Sequence, residues 1–305
     1  MLRPLFSALS RSRSIRALAE RSSLGLRISR RFVAGTTLEQ GMAATLGLNA
    51  AGMAATLDHL GENVTNAGEA RAAAQSYHNL LDAIRAYGLN ANISCKLTNF
   101  GLDIDPQLCR ELAGSLVAHA ASQQSFVRID MEGSPYTQRT LDLVRELRRS
   151  LGESAAVGTV IQSYLRRSQA DVEQLCAAGI RIRLVKGAYK EPAAVAFARK
   201  SEVDASFVRL AKMLLKSGLY HALATHDGRI IDEMVAFAGQ ERIPADAFEF
   251  QMLYGVRRDL QFRLVRAGWR VRIYVPFGAE WYPYFMRRLA ERPANVWFVA
   301  RNLLR

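Results

Sequence analysis

At 305 residues, half of them hydrophobic and 23% charged, the chain is long enough for one large core and too apolar for a disordered polymer. Its three cysteines, Cys95, Cys109 and Cys176, are odd in number and lack a CxxC pairing, which argues against a disulfide framework or a cysteine zinc site and for a reduced compartment. No apolar run approaches the ~18 residues of a membrane span, so any membrane contact is peripheral.

Much of the +13 net charge is local. Residues 1–31 hold eight arginines against one acid, Glu20, a balance of +7. This stretch is expected to be a basic helical extension, and residues 32–305 a separate catalytic domain. The extension reads as a solvated helix packed on the domain, as an amphipathic helix on anionic lipid, or as a mitochondrial-type transit peptide, and composition does not separate these.

From residue 53 onward, eight short apolar runs alternate with segments of helical spacing. The runs cover 53–58, 93–98, 126–131, 157–164, 180–185, 221–226, 248–253 and 271–275. Helices are predicted over 69–87, 106–121, 137–151, 168–178, 202–217, 230–239, 257–267 and 279–292, with boundary signals at Asp105-Pro106 and Ser168 and at glycines 88, 179, 218 and 268. Eight such repeats close naturally into a (β/α)8 barrel, although alternation alone also admits an open doubly wound sheet.

Polar residues interrupt the apolar runs near their C-terminal ends: Lys96, Asp130, Gln162, Lys186, Thr225, His226 and Tyr274. In a barrel those ends share one mouth, where catalytic groups gather. Asp130 in FVRIDME needs a partner, for which Arg183 is a candidate. Lys96 reads as an anion anchor, a Schiff-base nucleophile or a strand-end lysine reaching solvent. His226 stands without HxH or HExxH, so no metal is expected. Arg287 and Arg288 are adjacent on the last predicted helix, and such a pair taken alone is ordinarily a solvated face.

Six segments in order, SCKLT (94–98), RIDMEG (128–133), RLVKGAY (183–189), ATHD (224–227), FQMLYG (250–255) and YPYFMRR (282–288), resemble the proline dehydrogenases. The resemblance spans about residues 32–305 and is to the short, monofunctional bacterial type. It implies a distorted (β/α)8 barrel that binds FAD at its C-terminal mouth, which agrees with the lack of a GxGxxG dinucleotide motif. The implied reaction oxidises L-proline to pyrroline-5-carboxylate and passes electrons to a quinone. The implied setting is cytoplasmic, at times on the inner membrane face, or the mitochondrial matrix if the N-terminus is a transit peptide.

The resemblance also carries roles. Asp130 and Arg183 are implied as catalytic, Arg183 lying near the flavin. Lys96, Arg287 and Arg288 are implied to hold the proline carboxylate, with Leu253, Tyr274 and Tyr284 around its ring. Met131, Gln162, Arg183, Lys186, Gly187, Ala188, Thr225 and His226 are implied FAD contacts. Asp227 stands where the family usually has Asn or Ser, which leaves a negative charge near the cofactor to be explained. Two rivals remain at this stage: a barrel aldolase using Lys96 or Lys186 as Schiff base, and a basic domain binding nucleic acid, the latter lacking any recognisable motif.

Overall fold

The computed structural model describes residues 29–61, 64–152 and 156–291, together with Ser22 and Gly25. The expected extension over residues 1–31 lies almost wholly outside these. Eight parallel strands close a barrel in chain order: β1 (Ala54–His59), β2 (Ala91–Cys95), β3 (Val127–Ile129), β4 (Val157–Gln162), β5 (Arg181–Val185), β6 (His221–Ala224), β7 (Phe248–Leu253) and β8 (Val271–Phe277). Closure is by β8 on β1, from Ala54 opposite Arg272 to His59 opposite Phe277, which rules out the open sheet.

Helix α1 (Leu38–Ala50) precedes the barrel, and α2 (Ala67–Ala86), α3 (Pro106–Ser122), α4 (Ser134–Leu151), α5 (Ser168–Ala177), α6 (Lys200–Lys216), α7 (Gly228–Gln240), α8 (Arg258–Arg266) and α9 (Trp281–Glu291) follow the strands in turn. The starts of α1, α2, α3 and α7 are set by Thr37, Asn66, Asp105 and Asp227, whose side chains accept backbone N–H groups left over in the first turn. Ser168 is not the cap expected for α5. It is the first helical residue, and its hydroxyl donates to the Gln162 carbonyl at 2.6 Å, tying the helix to the end of β4.

The strands follow a period of two. Leu57, Ile93, Ile129, Ile161, Leu184, Leu223, Met252 and Ile273 belong to the core shared with the helices. Polar residues stand between them: Ser94, Arg183 and Tyr274 meet at Asp130, Arg183 also bonds Gln251, Gln251 bonds Glu249 and Glu249 bonds Arg272, while Asp58 accepts from Tyr77 and Arg128 donates to the Thr159 carbonyl. The barrel therefore has an apolar outside and a polar inside.

The ring is distorted at its closing repeat. Helix α1, not α9, packs on β8 and β1, where Gly41 allows the close approach: a Cβ there would sit 3.0 Å from the Phe277 ring. Helix α9 is thus freed to lie over the C-terminal end. Its Trp281, Tyr282, Tyr284, Phe285, Met286 and Leu289 form a second cluster with Phe32 and Val33 of the leading segment, Leu60 after β1 and Val256 after β7, and Leu253 packs against it. The leading segment is clamped by Gly255, whose φ of +70° and lack of Cβ let the Arg31 carbonyl approach within what would be 1.6 Å of a side chain.

At the opposite, N-terminal end, His221 opens β6 fully buried. Its Nδ1 accepts the Ile182 N–H at 2.9 Å, so the ring carries its proton on Nε2, which lies 2.8 Å from the Ser217 hydroxyl. Burial, reinforced by Arg128 and Arg181, lowers its pKa to about 3. An unfolded imidazole takes up a proton below about pH 6.5 that the folded one refuses until about pH 3, so stability is lost as pH falls through that window. Unfolding free energies from urea titrations across pH 7 to 4.5 are expected to fall less steeply in His221→Gln than in wild type, by up to about 1.4 kcal/mol per pH unit. Parallel slopes would assign the acid lability to other groups.

Candidate active site

Arg183 on β5 is the centre of the mouth. Its guanidinium is buried, and its Nη1 donates to Asp130 Oδ1 at 2.8 Å and to the Ser94 hydroxyl at 3.2 Å. Its Nε donates to Gln251 Oε1 at 2.5 Å. The remaining nitrogen, Nη2, is buried without a hydrogen-bond partner among the described residues. Asp130 follows β3 directly, where its N–H still bonds the Cys95 carbonyl at 2.8 Å. Its two oxygens are shared out, Oδ1 to Arg183 and Ser94 and Oδ2 to the Tyr274 hydroxyl at 2.9 Å. Burial, then Asp130 and Asp58, pushes the Tyr274 phenol well up, so it stays a donor. The Arg183 guanidinium lies over the Tyr274 ring, 5.2 Å from its centroid. The expected pairing of Asp130 with Arg183 is therefore present, within a larger knot.

Beside it, Lys96 follows β2 and points its ammonium at Asp58 Oδ2, 3.6 Å away. Asp58 is almost completely buried and accepts from the Tyr77 hydroxyl at 3.2 Å. Leu253 ends β7 and packs against the α9 cluster, so it lies on the same face. Tyr284 is buried on α9, with the Arg288 guanidinium 4.9 Å above its ring centroid. Arg287 and Arg288 are both half-buried, which is unlike a solvated face. The fold thus brings Lys96, Tyr274, Tyr284, Arg287, Arg288 and Leu253 to one end of the barrel.

The strands β4 to β6 make the other side. Gln162 ends β4 and donates to the Glu132 carbonyl at 3.0 Å, while Met131 is buried just after Asp130. Lys186 is held by Asp204 at 2.6 Å and Asp227 at 3.0 Å. Although burial alone would raise them, Lys186 keeps both carboxylates below their usual range. Asp227 caps α7 and pairs with Lys186. Gly187 has φ +121°, and a Cβ there would strike the Tyr164 ring at 2.5 Å, so glycine is required by the turn itself. Ala188 is exposed beside it. Thr225 Oγ1 accepts the Asp227 N–H at 3.2 Å, and His226 Nε2 accepts the Leu253 N–H at 2.9 Å, which leaves the imidazole proton on Nδ1.

Two lysines were candidates for Schiff-base chemistry, and both are ion-paired, the reverse of the desolvated amine such a nucleophile needs. The thiols are equally unsuited to attack, since burial pushes Cys109 up to about 12 and Cys95 well above its ordinary value. Cys176 lies 3.8 Å from His221 Nε2, but that nitrogen holds the ring proton and cannot accept another.

Sequence reasoning missed Asp58, Ser94, Tyr77, Glu249 and Gln251. Four of these sit at inward positions of β1, β2 and β7, where the period of two was available to find them; Tyr77 reaches in from α2 and left no signal.

Comparisons with known proteins fall in one family. A family model described as proline dehydrogenase matches residues 42–301. The chain is 41% identical to proline dehydrogenase 1 of Bacillus subtilis over 306 residues, covering 100% of both chains. It is 42% identical to the proline dehydrogenase of Deinococcus radiodurans over 91% of this chain and 90% of that one. Among solved structures, proline utilization A from Bdellovibrio bacteriovorus, inactivated by N-propargylglycine, is similar with a TM-score of 0.82 at 25% identity, over 88% of this chain and 33% of that one.

Removing one partner of a buried ion pair strands the other. Asp130→Ala, which leaves Arg183 without its carboxylate, is expected to cost about 3–5 kcal/mol in urea unfolding, and Asp130→Asn less, because it keeps an acceptor for Arg183. A loss under 1 kcal/mol in the alanine variant would mean that water replaces the carboxylate without difficulty.

Proposed function

The chain belongs to the proline dehydrogenase family and oxidises proline, the first step of proline catabolism, and from that premise we propose that it works with FAD at the C-terminal mouth of the barrel. The observation that carries the cofactor is Arg183, whose buried Nη2 has no hydrogen-bond partner among the described residues and calls for an acceptor from a bound group. The flavin's fused ring offers such acceptors, and the neighbouring residues Met131, Gln162, Lys186, Gly187, Ala188, Thr225 and His226 are the ones we assign to holding it. When bound, FAD supplies the hydride acceptor.

The chain's own part is to bind, orient and exclude water. Lys96, Arg287 and Arg288 receive the substrate carboxylate, for which forked guanidinium donors are suited. Leu253, Tyr274 and Tyr284 wall the pyrrolidine ring, so that the carbon next to nitrogen is presented in one orientation. Arg183 holds a fixed positive charge where negative charge develops during oxidation, and Asp130 keeps both Arg183 and Tyr274 in place. The product in this reading is pyrroline-5-carboxylate.

Electrons then pass to a quinone, and the enzyme works at the cytoplasmic face of a membrane. What supports this is the +7 balance of residues 1–31, a charge attracted to anionic lipid. Among the described residues no helix is long and apolar enough to cross a membrane.

The visible spectrum is expected to show flavin absorbance that bleaches anaerobically with L-proline. A protein loaded with FAD that stays oxidised under excess proline would overturn the flavin reading. Arg287→Met and Arg288→Met are each expected to raise KM for proline roughly 10- to 150-fold, the equivalent of a charge-assisted hydrogen bond of about 1.5–3 kcal/mol, with FAD still bound. Tyr284→Ser is expected to move the ratio of kcat/KM for proline over hydroxyproline toward hydroxyproline by about 1–3 kcal/mol at most. An unmoved ratio would place Tyr284 outside the ring pocket.

A further inference from the structure

Below Arg183 a chain of buried polar groups runs down the inside of the barrel. Gln251 accepts the Arg183 Nε–H at 2.5 Å and donates from its own Nε2 to Glu249 Oε1, also at 2.5 Å. Glu249 in turn accepts from Arg272 Nε at 2.8 and 3.0 Å and from the Tyr220 hydroxyl at 3.0 Å, and Arg272 is anchored by its Nη1 to the Ala55 carbonyl at 2.7 Å. Gln251 and Glu249 are both only 3% exposed.

The chain has a direction. A carboxylate only accepts hydrogen bonds, so Glu249 forces the amide nitrogen of Gln251 to face it, and the amide oxygen is thereby turned to Arg183. Burial alone would raise the Glu249 pKa, yet Arg272, Gln251 and Tyr220 together hold it below its usual range, so the carboxylate is charged and the amide does not flip. With Nε fixed by Gln251 and Nη1 by Asp130 and Ser94, the planar guanidinium has no rotational freedom left. Its Nη2 can point in one direction only.

We infer that Gln251, oriented by Glu249, is a positioning residue that aims the Nη2 of Arg183, which has no partner among the described residues, at the flavin. The inference rests on the FAD reading above. Arg183 stabilises reduced flavin through this aim, so its loss lowers the flavin midpoint potential and kcat, while proline KM, set at Lys96 and α9, stays as it was.

The test is the midpoint potential of FAD bound to Gln251→Met, a variant of similar volume. A tenfold loss in the preference for reduced flavin lowers the potential by about 30 mV. Glu249→Gln, which no longer dictates the amide's orientation, shifts it the same way by a smaller amount and carries the test if Gln251→Met does not fold. In the double variant the Glu249 effect is expected to vanish, since it acts only through Gln251. A Gln251→Met protein that binds FAD at the wild-type potential overturns the inference, as do additive shifts in the double variant. A wild-type protein that takes up no flavin overturns instead the reading on which it rests.

Discussion

Everything at the mouth depends on keeping a charged guanidinium buried inside the barrel. A charge taken out of water is tolerable only when paired and hydrogen-bonded, and Arg183 meets that condition through Asp130, Ser94 and Gln251, each from a different repeat of the barrel. These partners exist because polar residues hold many of the inward strand positions, among them Ser94, Arg128, Gln251, Glu249 and Arg272. Deeper in, Arg128 is completely buried, and burial together with Arg183 and Arg181 pushes its pKa well down; its Nη1 is nonetheless spent on the carbonyls of Thr159 and Arg181. Glu249 then separates Arg272 from the upper layer. An apolar barrel of the usual kind could not have placed Arg183 here, so the polar interior is the condition for the site.

The second constraint is topological. Because α1 fills the groove between β8 and β1, the helix that ends the last repeat has no seat on the wall. It covers the mouth instead, and its apolar residues find partners in Phe32 and Val33, with ring contacts such as Phe32 to Phe285 at 6.2 Å. The residues that we assign to the carboxylate are thus carried across the opening by an element that a regular barrel would have spent on its outer layer.

Much of this was legible in the sequence. The eight strands were found within a few residues because their apolar outward positions recur at strand spacing, and Lys96 and Asp130 stood out as charges inside such runs. Glu249 and Gln251, alternating with Phe248, Phe250 and Met252, show the same pattern and passed unnoticed, since a strand reading FEFQML looks ordinary until its polar members are followed inward. Ser94 and Asp58 are small polar residues at strand positions, which carry no signal without a partner in view. The end of β3 was set too late because Asp130 keeps one backbone bond to β2 after the ladder stops. The seat of α9 was not legible at all: it follows from contacts between residues about 250 positions apart, and no local preference encodes those.

The two halves of the site consequently belong to different parts of the fold's stability. Arg183, Asp130 and Tyr274 hang on β5, β3 and β8, whose outer faces are embedded in the main core, so disturbing them disturbs the barrel. Arg287 and Arg288 ride on α9, which is held by a separate and smaller cluster. Opening free energies vary across a structure, and elements secured by fewer buried contacts open first. The carboxylate clamp that we assign to Arg287 and Arg288 is thus mounted on an element secured apart from the guanidinium beneath it. That division suits an oxidation in which the amino acid must enter and leave on every turnover and the electron-accepting group must stay.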